Sequence, residues 1–353
     1  MIELDHLQSY QLTLTVRGLL HIGNGQKLPK KEYLFNNRTK VVSFVDERAF
    51  FDLLIRFHLV DQFERFCMYG QGDLYSFLFH DCRLTPQQVQ SAIRYQINAG
   101  DALDENHSLR DISRFVRNGR GDVYVPGSSV KGAIRTALLF QRIMADGAPH
   151  DSLAQYFPEA EYLHTLNLTR NSGDAINSLM RGIHISDSAA IPDSCMTLAS
   201  KNDGFVDGQT NAINLCRECA APGTPISLRL TLDQSVLKGT VTIKSILDAL
   251  NAFERYYQEV YLRHFVPPRN SEPLPEGAIL RMGGGAGFFG KSLAYPYLGE
   301  RNGLIWVSDR LTRSFSKHHH ERDRQLGISP RTMKYGRYQN KFHSFGVCEV
   351  SIQ

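Results

Sequence analysis

No apolar run in this chain approaches the roughly 18 residues that a membrane-spanning helix needs. The opening Met-Ile-Glu-Leu-Asp lacks the basic start and apolar stretch of a secretory leader. Both absences lead to an expectation of a cytoplasmic protein with no membrane partner. Cysteine is scarce and scattered, at Cys67, Cys82, Cys195, Cys216, Cys219 and Cys348, so disulfides are not expected in that compartment. Cys216-Arg-Glu-Cys219 has one half of a zinc-site spacing, but no second close Cys or Cys/His pair accompanies it, and no metal or other cofactor is expected. Charge of one sign is also lacking: 40 basic against 36 acidic residues leave +4, which permits nucleic-acid binding without demanding it. No short-period internal repeat is present. What remains is a globular composition, 42% hydrophobic with a mean hydropathy of −0.29, over 353 residues, enough for two domains.

The most informative stretch runs from Tyr124 to Leu139 (Tyr-Val-Pro-Gly-Ser-Ser-Val-Lys-Gly-Ala-Ile-Arg-Thr-Ala-Leu-Leu). Pro126-Gly127 marks a turn, and Ser128 or Ser129 suits an N-cap. Val130, Ile134, Ala137 and Leu138 recur at helical spacing as a buried stripe. Lys131 and Arg135 lie one turn apart on another face. A cation in a first helical turn opposes the helix dipole; a bound phosphate would reverse that sign, since free N–H groups and cations would then share one anion. The alternative is a capped surface helix with solvated cations.

This stretch closely resembles the Pro-Gly-Ser-Ser-Leu-Lys-Gly-Ala-x-Arg-Thr-Ala signature of RAMP proteins, the repeat-associated subunits of CRISPR effector complexes, with Val130 in place of the usual Leu. Two further motifs agree. Leu20-His-Ile-Gly-Asn-Gly25 follows an N-terminal strand, and Leu280-Arg-Met-Gly-Gly-Gly-Ala-Gly-Phe-Phe-Gly290 resembles the superfamily's C-terminal glycine-rich loop. Their order, with Arg117-Asn-Gly119 ahead of the signature, looks most like the fifth subunit of the type III-A (Csm) complex. The resemblance implies a non-catalytic subunit that binds crRNA and caps its 3′ region. It also implies a part in crRNA maturation and antiviral defence. Its partners would be the backbone subunits, the small-subunit filament and host trimming nucleases. RNA contacts are expected from Ser128, Ser129, Lys131 and Arg135, from Gly283, Gly284, Gly285, Gly287 and Lys291, and from His21, Arg117 and Arg281.

The fold class expected is α+β: two ferredoxin-like (RRM-like) RAMP domains, residues 1–222 and 223–353, with a helical insertion at about 60–112 in the first. Leu12, Leu14 and Val16 alternate in a first strand, and 40–45 makes a second. The segment 46–59 is a helix by its apolar spacing, so the opening reads strand–strand–helix. Within the insertion, helices are expected near 63–79 and 86–98. A further helix is expected near 153–163, a buried strand at 182–186 and a loop at 200–209. Ala221-Pro-Gly-Thr-Pro225 is the candidate boundary. Beyond it come a strand at 226–232, a long helix at 242–265 stopped by Pro267-Pro268, a strand at 278–282 and a closing strand at 347–352.

Other chemistries compete. Gly285-Ala-Gly-Phe-Phe-Gly-Lys-Ser292 fits the P-loop pattern, but Pro296 and Gly299 speak against the helix a P-loop must open. His318-His-His-Glu321 lacks an identifiable fourth metal ligand. His21 or His184 could serve a RAMP-fold endoribonuclease as general acid or base, and Asp46 or Asp187 could act as a cleaving aspartate, though no local partner marks any of them. The segment 317–341 interleaves basic residues with Tyr335, Tyr338 and, just beyond, Phe342. That pattern suits either single-stranded RNA or a solvated loop.

Overall fold

The computed structural model describes residues 5–103, 109, 111–147, 149–153 and 158–353. The protein is α+β. One five-stranded antiparallel sheet runs in the spatial order Ile279–Arg281, Val347–Ile352, Leu7–Val16, Pro225–Asp233, Ile183–Ile185. Along the chain its elements are strand Leu7–Val16, helix Gly127–Ala145, strands Ile183–Ile185 and Pro225–Asp233, helix Ile243–Tyr256, and closing strand Val347–Ile352. This is a β-α-β-β-α-β succession in which the fourth strand lies beside the first, as in a ferredoxin-like unit, with Ile279–Arg281 added at the edge. Leu12, Leu14 and Val16 alternate inward with Ile226, Leu228, Leu230 and Leu232. They meet Val130 and Ile134 of one helix and Ile246 and Leu250 of the other in a single core. The alternation exists because only one sheet face is covered by helices.

The expected division at 222/223 is therefore corrected. Leu7–Val16 hydrogen-bonds to Pro225–Asp233 on one side and to Val347–Ile352 on the other, so the ferredoxin-like sheet is built from both sides of the boundary. A second sheet, in the order Lys341–Ser344, Thr332–Tyr338, Met196–Phe205, Thr210–Ala220, Ile112–Phe115, Gly23–Leu28, also draws from both sides. It does not repeat the ferredoxin-like order. Ala221–Pro225 is a turn within this framework, not a linker.

The insertion begins earlier and is less helical than expected. Tyr33–Asn36, Val41–Val45 and Ile93–Asn98 form a third sheet. Helices Glu47–Arg56 and Val60–Tyr69 pack beside it around Phe50, Leu53, Leu54, Phe66, Phe77 and Leu78, a core separate from the main one. The helix at 46–59 thus belongs to this module and not to the ferredoxin-like sheet. The helix expected at 86–98 stops at Gln90, and Ile93–Asn98 is a strand whose Tyr95 and Ile97 face inward. The loop expected at 200–209 is a hairpin between Met196–Phe205 and Thr210–Ala220. The helix expected at 153–163 lies partly outside the described residues, and its described part is helical over Glu159–Leu163. Among the described residues, no helix is long and apolar enough to cross a membrane.

Candidate nucleic-acid interface

The signature helix starts at Gly127, two to three residues earlier than a Ser128 or Ser129 N-cap would place it, with Pro126 as N-cap. Ser128 and Ser129 are therefore inside the first turn and do not cap it. The Ser129 N–H donates to the Pro126 carbonyl at 3.0 Å. Gly127 is required by close packing: a Cβ there would stand 2.2 Å from the Ile185 carbonyl oxygen and 2.5 Å from that of Ser186. The Gly127 N–H donates to the Asp187 carboxylate at 2.9 Å, so a carboxylate already complements the positive end of this helix. Asp46, likewise, accepts from the Ala49 N–H at 3.0 Å at the start of its own helix. Lys131 is half-buried, and desolvation draws its pKa below the usual lysine value. Arg135 is exposed and pairs with Glu159 at 3.1 Å.

The glycine loop follows the edge strand Ile279–Arg281. Gly283 has φ 77°, and a Cβ on it would lie 2.3 Å from the His21 carbonyl oxygen. That same carbonyl accepts from the Gly284 N–H at 2.7 Å. The loop is thus hydrogen-bonded to the Leu20-His-Ile-Gly segment, and the structure joins two motifs some 260 residues apart. His21 is buried. Its Nδ1 donates to the Glu218 carbonyl at 2.7 Å. Burial lowers its pKa to about 4, and nearby Arg217 adds to the shift against the opposing backbone hydrogen bond. At neutral pH it is an uncharged acceptor at Nε2, not a cation.

Two expected RNA contacts are corrected. Arg117 is half-buried, ion-paired with the fully buried Glu218 and, at 3.5 Å, with Asp193, and stacked over Tyr95 at 3.9 Å. Arg281 is buried and bidentate to Glu254, at 2.8 and 2.7 Å, over the Tyr257 ring at 3.9 Å. Both guanidiniums are held by carboxylates of the chain itself.

Sequence reasoning missed Arg217. Strand alternation places Cys216 and Glu218 on one face of Thr210–Ala220 and Arg217 and Cys219 on the other. The two thiols therefore enter separate cores, and the half zinc spacing brings no pair together. Arg217 lies beneath the loop, 5.2 Å from the Phe345 ring, with Nη1 buried and without a hydrogen-bond partner. Among the described residues no carboxylate pairs with it. A Cβ on Gly285 would approach that Nη1 to 2.8 Å, so the loop's lack of side chains is what makes room for the guanidinium. Lys291 donates to the Gly283 carbonyl. Desolvation, followed by Arg217, lowers its pKa. An arginine without a carboxylate partner beside a lysine concentrates positive charge under the loop, which suits an anion.

These groups line an open cleft of about 500 Å³ bounded by His21, Gly23, Lys27, Arg217, Gly284 and Lys291. Lys291 also borders a second cleft, about 400 Å³, shared by Gly287, Phe288 and Arg135. The loop and the signature helix therefore meet through Arg135 and Lys291, while Ser128, Ser129 and Lys131 line neither cleft.

The competing chemistries do not assemble. The strand before the glycine loop is the edge of an antiparallel sheet, whereas a P-loop belongs to a parallel one. The helix Ala294–Ser314 does form, against expectation, but is interrupted at Gly299 (φ 73°, ψ 171°). His320 is bonded to buried Asp323 at 2.9 Å and His319 to Glu321 at 3.1 Å. The basic segment near the C-terminus is largely a paired hairpin. Lys334 meets Asp203 at 2.6 Å, Lys341 meets Glu272 at 2.7 Å, and Tyr335 is buried.

The RAMP superfamily model matches residues 13–348. The chain is 26% identical, over 99% of its length and 98% of the other, to the CRISPR system Cms protein Csm5 of Mycobacterium tuberculosis (strain CDC 1551 / Oshkosh). Among solved structures it is similar to a chain of a Csm–crRNA–target RNA ternary complex of a type III-A CRISPR-Cas system, with TM-score 0.68, 16% identity, and 97% and 100% coverage of the two chains. It is also similar to the crystal structure of T. onnurineus Csm5, with TM-score 0.63, 16% identity, and 95% and 99% coverage. With the glycine loop hydrogen-bonded to the histidine segment and bordering a second cleft with the signature helix, and the family match spanning residues 13–348, the chain belongs to the RAMP superfamily.

Proposed function

We propose that this protein is the crRNA-binding subunit of a type III-A Csm interference complex, non-catalytic and seated on the crRNA 3′ region. The observation that carries the reading is the cleft in which Arg217 and Lys291 flank a side-chain-free loop with no carboxylate on Arg217. Phosphate contacts of this kind position RNA without reading its sequence. The similarity to Csm5 proteins supports the type of complex, and with it the backbone subunits and small-subunit filament as partners, a role in crRNA maturation alongside host trimming nucleases, and a cytoplasmic setting. The contacts assigned to RNA are Arg217, Lys291, Lys27 and the loop backbone at Gly283, Gly284, Gly285 and Gly287, extended by Arg135. Ser128, Ser129 and Lys131 stand farther from the cleft and are assigned to the helix start. His21 supports the non-catalytic reading, because burial holds its pKa at about 4 and makes it a weak general base at neutral pH.

The test is a pull-down from cells carrying the whole CRISPR locus, with bound RNA sequenced, comparing wild type with Arg217→Glu/Lys291→Glu. Guide RNAs with a defined 3′ boundary, lost or blurred in the variant, support the reading. Partner proteins recovered without guide RNA from the wild type overturn it.

A further inference from the structure

The largest cleft along this path, about 690 Å³, begins where the glycine loop ends, at Gly287 and Phe288, and continues past Phe315, Lys317, His318 and Lys201. That volume lies within the range of ligand-binding clefts, roughly 300–1,000 Å³. Two features of its floor go beyond a cationic groove. Phe315 is 51% exposed. The His318 ring lies nearly parallel to it, centroids 5.5 Å apart and planes inclined by 17°.

This pair is held in place from behind. Arg331 donates to the carbonyls of His318 and His319, each at 2.8 Å, and is itself fixed by Asp323 at 2.9 Å. Asp323 is fully buried and also accepts from Ser329 at 2.8 Å. The backbone that carries His318 is thus fixed, which lowers the entropy cost of docking a flat ligand against it. The local charge is positive. Lys201 and Lys334 share the single carboxylate of Asp203, at 4.0 and 2.6 Å, and among the described residues Lys317 has no carboxylate partner.

An exposed, fixed aromatic platform beside excess ammonium groups matches the chemistry of single-stranded nucleic acid, in which bases stack and phosphates meet cations. We propose that single-stranded RNA leaving the glycine loop continues into this cleft and stacks a base on Phe315 and His318, so that the protein holds bases here as well as phosphates at Arg217. The proposal rests on the RNA-binding reading of the glycine-loop cleft. It goes beyond that reading by adding a second, stacking site for the same strand.

The experiment uses the full chain and single-stranded oligoadenylate carrying 2-aminopurine near its 3′ end. Binding is followed by anisotropy, and stacking by quenching of the 2-aminopurine fluorescence. Wild type is expected to bind and quench. Phe315→Ala, which removes a mostly exposed ring and should leave the circular dichroism spectrum unchanged, is expected to weaken binding about tenfold and abolish the quench. Lys317→Glu should weaken binding while retaining the quench at saturation. Affinity and quench unchanged in Phe315→Ala overturn the stacking site; loss of a partner subunit from the assembled complex in that variant would then make the platform a protein contact. Arg217→Glu separates the two claims. If it abolishes binding while Phe315→Ala behaves as wild type, only the stacking site fails. If the wild-type chain binds no oligonucleotide, both fail.

Discussion

The strand Thr210–Ala220 meets two environments with two neighbouring residues. On its inner face Glu218 closes an ion pair with Arg117 and accepts the Phe115 N–H at 2.9 Å. On its outer face Arg217 has a ring beside it, glycine above it and an unused N–H. The glycine loop repeats the contrast at its two ends, with Arg281 sealed against Glu254 and Lys291 exposed at the cleft. A basic residue near a functional motif is thus either a structural ion or a ligand contact according to which carboxylate can reach it. In each buried case that carboxylate comes from a distant part of the chain.

The largest expected effect tests the inner face. Glu218→Ala leaves the Arg117 guanidinium with only its longer contact to the partly exposed Asp193, at 3.5 Å, and should destabilise the fold by about 3 kcal/mol in denaturant unfolding. Arg217→Ala should cost much less in the same assay; an equal loss would erase the distinction between the faces. Next comes His21, whose folded pKa of about 4 lies below its ordinary 6.5. The unfolded chain binds this proton first as pH falls, so stability is lost on going from about pH 6.5 to 4, by up to about 3 kcal/mol. Unfolding midpoints across that window should fall more steeply for wild type than for His21→Gln; parallel curves would refute the assignment. On the outer face, Arg217→Ala should weaken single-stranded RNA binding about tenfold and reduce the dependence of log K on log salt by about one counterion. An unchanged salt slope would remove Arg217 from the phosphate contacts. The smallest effect is at the exposed Arg135–Glu159 pair, where Arg135→Ala should change stability by less than about 0.5 kcal/mol, so that any larger change would show a structural role for this cation.

Local signals were legible in the sequence where one face of an element is buried. The stripe of Val130, Ile134, Ala137 and Leu138 and the alternation of Ile226, Leu228, Leu230 and Leu232 both reappear as core contacts. The closing strand and the glycine loop also fall where expected. Ile93, Tyr95 and Ile97 were misread because a short alternating run following a real helical turn, Pro86–Gln90, looks like its continuation. The hairpin through residues 200–209 was missed because polar Asn202 and Gly204 are buried by packing against the neighbouring strand, Gly204 against the Tyr335 ring, which no local pattern encodes. Arg117 and Arg281 were assigned by proximity to motifs, and their carboxylates lie 101 and 27 residues away. Arg217 carried one usable signal, its place in a strand opposite Glu218 in side-chain direction, but that required knowing that the Cys216–Cys219 stretch is a strand at all.

The central strand Leu7–Val16 emerges early during synthesis, yet one of its two partners begins at Pro225 and the other at Val347. Until both partners have docked, an alternating apolar strand has at least one open edge. By contrast, the module built on Tyr33–Asn36, Val41–Val45 and Ile93–Asn98 closes its own core from residues near one another in the chain. Domains and local units form before distant pairings do. The topology therefore carries an order of assembly: the insertion closes on local contacts, while the sheet that carries the signature helix waits on distant pairings, and removal of Val347–Ile352 would leave an unsatisfied strand edge prone to self-association.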